Sequence, residues 1–156
     1  MENIKLFVMD VDGTLTDGKI HIGPNGEVMK AFNVKDGYGI AQILPKHGVI
    51  PVIITGRESE IVKYRAKELG ITRLYQGVSD KISILKEIAN ELQIESQQIA
   101  YIGDDLNDLE CIHFSGITAC PNDSISKVLS EVDYISSENG GCGAVRDFID
   151  YLFDNE

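Results

Sequence analysis

Apolar residues along this chain fall into short runs that alternate with stretches of helical period. Ile4 to Met9 is rich in strand formers, and Val49 to Ile54, Arg73 to Tyr75, Ile99 to Ile102, Ile117 to Ala119 and Tyr134-Ile135 predict further strands. Between them, Ser59 to Leu69 carries Ile61, Val62, Ala66 and Leu69 at helical spacing. After Lys81, Ile82, Leu85, Ile88, Ala89 and Leu92 form one apolar stripe. Leu109 to Phe114, Ile125 to Leu129 and Ala144 to Phe153 predict three more helices. Another runs to about His47, disturbed late by Pro45 and closed by Gly48, after a polar, glycine-rich stretch from Asn33 to Ile40. Lys19 to Ile22 and Glu27 to Phe32 alternate around Gly23-Pro24-Asn25-Gly26 and read as a β-hairpin within about 17–32. Gly140-Gly141-Cys142-Gly143 reads as a flexible loop before the last helix.

Strands alternating with amphipathic helices predict parallel βαβ units. The expected fold is α/β: a three-layer α/β/α sandwich with a central, mostly parallel, Rossmann-like sheet and a protruding hairpin. One domain is expected over residues 1–156. No separate cap domain is expected, because the 43 positions from Asp12 to Thr55 and the 26 from Thr55 to Lys81 are already filled by predicted elements.

Composition narrows the partners. With 156 residues, 43% of them hydrophobic, the chain can bury a core of its own. A net charge of −11 argues against nucleic acid or an anionic membrane surface as partner. No stretch approaches the roughly 18 apolar residues that span a bilayer, and no signal-peptide core precedes the first acidic turn. Cys111, Cys120 and Cys142 form no C-x-x-C pair and His21, His47 and His113 lie apart, so neither zinc nor a disulfide framework is indicated. The cytoplasm is the expected compartment.

The chemistry lies at the strand ends. The first strand stops at Asp10 and Asp12, the one after Gly48 at Thr55-Gly56-Arg57, and the one after Ser96 at Gly103-Asp104-Asp105-Leu106-Asn107-Asp108, while Lys81 stands at a strand-to-helix junction. In an open α/β sheet ligands bind outside the carboxyl ends of the strands, so these groups can meet despite their separation in sequence. Paired carboxylates repel unless a cation offsets them, and a hard ion such as Mg2+ takes oxygen ligands together with substrate phosphate. A hydroxyl and an ammonium beside them suit phosphoryl oxygens. Singly, each has a structural reading as a turn former, a helix cap or a solvated first-turn residue; together they describe a phosphate site.

Asp10-Val11-Asp12-Gly13-Thr14, Thr55, Lys81 and Gly103 to Asp108 resemble, in order, the four motifs of the haloacid dehalogenase superfamily. Asp17-Gly18, Phe32 to Ile40, Thr55-Gly56-Arg57, Arg65, Leu69-Gly70-Ile71 and Gly140 to Arg146 are similar to its 3-deoxy-D-manno-octulosonate 8-phosphate phosphatase branch. That resemblance implies Asp10 as nucleophile, Asp12 as general acid and base, and Thr55 and Lys81 as holders of the transferring phosphoryl group. It implies Mg2+ bound by Asp10, the Asp12 main-chain carbonyl and Asp104, with Asp105 and Asp108 orienting ligands or waters. It further implies substrate contacts from Asp12, Asn33, Val34, Lys35, Asp36, Gly37, Thr55, Gly56, Arg57, Arg65 and Lys81, with Arg146 reaching substrate from the tail. A surface salt bridge is the alternative for Arg65. The implied assembly is a homotetramer whose hairpins pair around a central axis and whose active sites are shared between subunits. The implied substrate is an eight-carbon sugar acid phosphate, Arg57-Glu58 and Glu68 being closer to that type, with a nine-carbon 2-keto-3-deoxynononate or N-acylneuraminate 9-phosphate as the alternative. A phospho-accepting signalling receiver uses similar groups, but there the phosphorylated Asp, Thr and Lys follow the acidic pair. Here the second acidic cluster comes last.

Overall fold

The computed structural model describes residues 3–153. Its strands are β1 (Leu6–Met9), β2 (His21–Gly23), β3 (Gly26–Met29), β4 (Ile50–Ile54), β5 (Arg73–Tyr75), β6 (Ile99–Ile102), β7 (Ile117–Cys120) and β8 (Tyr134–Ile135). Its helices are α1 (Val34–Tyr38), α2 (Leu44–Lys46), α3 (Glu60–Glu68), α4 (Lys81–Leu92), α5 (Leu109–Phe114), α6 (Ser126–Leu129) and α7 (Ala144–Phe153). Six strands form a parallel sheet in the order β5-β4-β1-β6-β7-β8, and β2 and β3 form a separate antiparallel hairpin.

Side-chain alternation along the strands generates the layers. On β1, Phe7 and Met9 face a core shared with Ile40, Leu44, Val62, Ala66, Phe148 and Ile149. Leu6 and Val8 face the opposite core, built with Leu85, Ile88, Cys111 and Val128. Helices α1, α2, α3 and α7 therefore cover one face and α4, α5 and α6 the other, which is the predicted α/β/α sandwich. Because β1 pairs with β4 on one side and β6 on the other, the chain leaves β1 one way and β6 the other way. The crevice between the ends of β1 and β6 is thus the place where such sheets bind ligands.

Three local expectations are corrected. The helix after the hairpin begins at Val34, inside the stretch read as a glycine-rich loop, because the Asn33 side chain accepts from the Lys35 N–H (2.8 Å) and caps it. Its glycines serve close packing, since a side chain at Gly37 would collide with Arg65 and one at Gly39 with Ile149. That helix widens into a π-helical turn at Gly39–Ile43 just before Pro45, whose ring and missing N–H are incompatible with a regular α ladder. The hairpin arms are shorter than predicted, ending at His21 and Met29, with a register shift between His21 and Ile22. The Gly140–Gly143 segment is a packed wall rather than a flexible loop. Side chains at Gly140 or Gly141 would strike the backbone of Gly13, Thr16 and Asp17, and the Gly141 N–H bonds the Thr14 carbonyl (3.2 Å).

Candidate active site

Asp10 is delivered by β1, its N–H bonded to the Ile102 carbonyl of β6 (3.2 Å). The chain then winds tightly, with the N–H groups of Thr14, Leu15 and Thr16 converging on the Val11 carbonyl at 3.1, 2.9 and 3.1 Å. Gly13 makes that turn possible in two ways. It holds a φ of +91°, and a methyl there would overlap the Asp104 carboxylate.

Lys81 opens α4 and reaches across the floor of the crevice. Its Nζ lies 3.0 Å from Asp10 Oδ1 and 2.9 Å from Asp108 Oδ1, and all three side chains are buried. Burial alone would depress the Lys81 ammonium, but the charges of Asp10 and Asp108 outweigh it and hold its pKa above the ordinary range. Asp108 is saturated. Its Oδ1 accepts from Lys81 and from the Tyr101 hydroxyl, and its Oδ2 accepts from the N–H groups of Asp104 (3.0 Å) and Asp105 (3.2 Å). Desolvation, followed by the neighbouring Asp108 charge, lifts the Tyr101 hydroxyl well above its usual value.

Among the described residues, Asp10, Asp104 and Asp108 are the group whose carboxylate oxygens approach within 4.8 Å of one another. With Asp108 fully engaged, a cation falls to Asp10 and Asp104. Asp104 is steadied by the Thr14 hydroxyl (3.2 Å). Both carboxyls are pushed above the ordinary carboxylate range: Asp10 by burial and then the Asp108 charge, Asp104 by burial and then Asp10. Two desolvated carboxyls competing in this way constitute a donor set that fits a hard divalent ion.

A second ionic group forms the wall. Lys30, just beyond β3, places its Nζ 2.5 Å from Asp12 Oδ1 and 3.0 Å from Glu27 Oε2. Glu27 Oε1 in turn accepts from the Ser59 hydroxyl, and Ser59 caps α3 while its N–H donates to Gln76 Oε1 (2.9 Å). Desolvation opposes the Lys30 ammonium, yet the bonds to Asp12 and Glu27 raise its pKa.

The remaining predicted residues are distributed unevenly. Thr55 is buried just beyond β4, the strand paired with β1, with its N–H on the Tyr75 carbonyl and its carbonyl accepting from the Val78 N–H. Gly56 and Arg57 are exposed on the following turn. Asp105 is exposed and caps the short 3-10 turn Leu106–Asp108. Asn33 is half-buried as the α1 cap, and Val34 and Lys35 are exposed. Asp36 and Gly37 turn inward instead. Asp36 Oδ1 accepts from the Arg146 N–H at the start of α7 (2.8 Å), Oδ2 is buried without a hydrogen-bond partner among the described residues, and burial first of all lifts this carboxyl to about 6. Arg65 covers the Phe32 ring and pairs with Glu68 at 3.7 Å, lining a small apolar cavity with Asn33, Asp36 and Gly37. Arg146 is held by Asp150, by the Tyr38 ring and by the Lys35 carbonyl.

Sequence reasoning missed Lys30, Glu27, Ser59 and Tyr101. Tyr101 carried a signal, because a tyrosine inside an otherwise aliphatic buried strand needs a partner for its hydroxyl. Lys30 carried none, since its pairing depends on how the hairpin folds back over the turn after β1.

Residues 71–149 match the model of a family described as haloacid dehalogenase-like hydrolase. The 3-deoxy-D-manno-octulosonate 8-phosphate phosphatase of Escherichia coli (strain K12) is 43% identical over 97% of this chain and 80% of its own length. The solved structure of the Moraxella catarrhalis phosphatase, in complex with magnesium, phosphate and KDO, is 43% identical. It superposes with a TM-score of 0.93 over 98% of this chain and 87% of that one. The cobalt-bound Haemophilus influenzae phosphatase is 36% identical, with a TM-score of 0.94 over 98% and 89% of the two chains.

Proposed function

The chain belongs to the haloacid dehalogenase-like hydrolases, in their 3-deoxy-D-manno-octulosonate 8-phosphate phosphatase branch, and from that premise we infer that it is a Mg2+-dependent phosphoric monoester hydrolase releasing the free sugar acid and phosphate. The observation that carries this reading is the Lys81 ammonium wedged between Asp10 and Asp108 beside Asp104 in the crevice between β1 and β6. In this reading Asp10 and Asp104 hold the metal through their carboxylates, together with the Asp12 main-chain carbonyl. The bound Mg2+ supplies positive charge that offsets the phosphoryl oxygens and the nucleophile.

Asp10 attacks phosphorus in line and forms an aspartyl-phosphate as the bond to the sugar oxygen breaks. Asp12 gives its proton to that departing oxygen. It then takes a proton from the water that attacks the aspartyl-phosphate, which frees phosphate and regenerates Asp10. Lys81, bonded to Asp10, and Thr55, at the end of the neighbouring strand β4, hold the phosphoryl oxygens where charge grows in the transition state. Asp108 fixes Lys81 and the backbone that carries Asp104, and Asp105 shapes the same turn. Arg57 and Gly56, exposed beside the crevice, and Asn33, Val34 and Lys35 at the start of α1 are the substrate-facing set. Asp36, Gly37, Arg65 and Arg146 support that set from behind through their contacts with α3 and α7.

Residues 1–156 act as one phosphatase domain in the reducing cytoplasm, in keeping with three free cysteines. No helix among the described residues is long and apolar enough to cross a membrane. The hairpin exposes Ile22 (70%), Val28 (61%) and Met29 (50%), apolar side chains suited to pairing in a homotetramer with shared sites. The triple variant Ile22→Ser, Val28→Ser, Met29→Ser is expected to sediment as a smaller, less active species; an unchanged tetramer or a fully active monomer counts against shared sites. The test of function is phosphate release with Mg2+ from eight- and nine-carbon sugar acid phosphates side by side. A higher kcat/KM on the eight-carbon ester is expected, and preference for the nine-carbon ester transfers the chain to the alternative substrate.

A further inference from the structure

Lys30 is the most deeply buried cation outside the Lys81 cluster among the described ion pairs, its side chain 1% exposed although it follows an exposed hairpin. A lysine ordinarily stays in water unless it is paired, because desolvating an unpaired ammonium is costly. Here the ammonium is closed in by two carboxylates on different segments: Asp12 on the turn after β1, and Glu27 on β3. Glu27 is held in turn by Ser59, whose hydroxyl also accepts from the N–H groups of Ile61 (3.2 Å) and Val62 (3.4 Å) at the start of α3. The chain of contacts ends in backbone belonging to the sandwich, so the hairpin base is anchored there and cannot swing independently of Asp12.

We propose that Lys30, braced by Glu27 and Ser59, is the positioning residue for Asp12: it grips Oδ1 and leaves Oδ2 to exchange the proton with the substrate. This rests on the reading of Asp12 as the acid and base of the phosphatase reaction. Two features separate it from a salt bridge that merely staples the hairpin. The partner of Lys30 is the carboxylate that must transfer a proton in both half-reactions. The grip is also made through one named oxygen, so it selects a rotamer. Without Lys30 the Asp12 carboxyl, 19% exposed, is free to rotate toward water, and both protonation of the leaving group and activation of the hydrolytic water slow down.

The leaving group discriminates between these roles. p-Nitrophenolate departs without a proton, whereas a sugar alkoxide needs one from Asp12. In Lys30→Met, the first step on the octulosonate phosphate is expected to fall about 10- to 100-fold, within the range that general acid catalysis supplies, with KM changing less than about 3-fold. On p-nitrophenyl phosphate the same variant forms the aspartyl-phosphate at nearly the wild-type rate and then stalls. Rapid mixing therefore reads a burst of p-nitrophenol that approaches one per active site. Lys30→Arg, which keeps the charge and the reach, restores most of the rate, and Glu27→Gln repeats the pattern with a smaller loss, which covers the case of a Lys30→Met protein that does not fold. Equal losses in the first step on both substrates, a change confined to KM, or wild-type rates in both variants would overturn the proposal. Wild-type enzyme inert toward the sugar acid phosphate would sink the substrate assignment alone, because the burst comparison on the aryl ester stands apart from it.

Discussion

The site holds the same small device twice: a buried lysine between two carboxylates. On the floor, Lys81 joins Asp10 to Asp108; on the wall, Lys30 joins Asp12 to Glu27. The floor triad hangs on the ends of β1 and β6, through the 3-10 turn after β6, and on the first turn of α4, and Asp108 is fixed by three further bonds from Tyr101, Asp104 and Asp105. The wall triad hangs on a two-stranded ribbon, which is marginal by itself and takes its rigidity from what it touches. Their difference in anchorage matches their proposed work. The nucleophile and metal ligands must not move, whereas the acid and base must serve two successive partners, the leaving group and then water.

That contrast breaks most sharply at the proposed nucleophile. Asp10→Asn keeps an acceptor for Lys81 and should fold, yet turnover should drop on the order of 10⁴-fold or more. Phosphate release and thermal melting measure the two halves of that statement, and a rate near wild type would remove Asp10 from its role. Lys81→Met should be the most costly change to the frame, because Asp10 and Asp108 are left facing one another in a desolvated floor. A loss of about 3–5 kcal/mol is expected from breaking a buried pair on one side, read by denaturant unfolding. A neutral result would mean that the floor is no more rigid than the wall.

Asp36 sharpens the comparison from outside both triads, being a buried carboxylate whose Oδ2 has no hydrogen-bond partner among the described residues. Its folded pKa of about 6 lies above the ordinary 3.8. Between roughly pH 4 and 6 the folded state retains a proton that the unfolded state has released, so stability falls as pH rises through that window and stays lower above it. Asp36→Asn keeps the acceptor for the Arg146 N–H and removes the ionisation. It should therefore be neutral near pH 4 and stabilising by about 2–3 kcal/mol at pH 8, at about 1.4 kcal/mol per pKa unit. Equal stability of the two proteins at pH 8 would mean that the carboxylate has found a partner. The smallest expected effect is Gly13→Ala. Its methyl must displace the Asp104 carboxylate and strain a φ of +91°, so the Mg2+ concentration for half-maximal activity should rise about 10-fold, as a metal titration would reveal.

Much of this site was legible before any coordinates. Asp10, Lys81, Asp104 and Asp108 stand at strand or helix ends that hydrophobic periodicity locates, and the parallel order brings such ends to one edge. The helix over Glu60–Glu68 was equally plain from spacing. Other features were not legible, for a shared reason. Gly37, Gly39 and Gly140 looked like signals of looseness but are small because another chain segment passes close by. Asp36 looked like a ligand in a polar stretch, and only the docking of α7 makes it an internal cap.

Residue order alone determined the alternation of strands and helices, the polarity of the strand ends and the chemistry available there, because each depends on neighbours a few positions away along the chain. Tertiary structure alone decided which carboxylate each lysine answers to and which acids face water. Lys81 meets Asp10 across 71 positions and Lys30 meets Asp12 across 18. Such pairings are selected by how the layers and the hairpin pack, where burying an unmatched charge costs more than any local preference can offset.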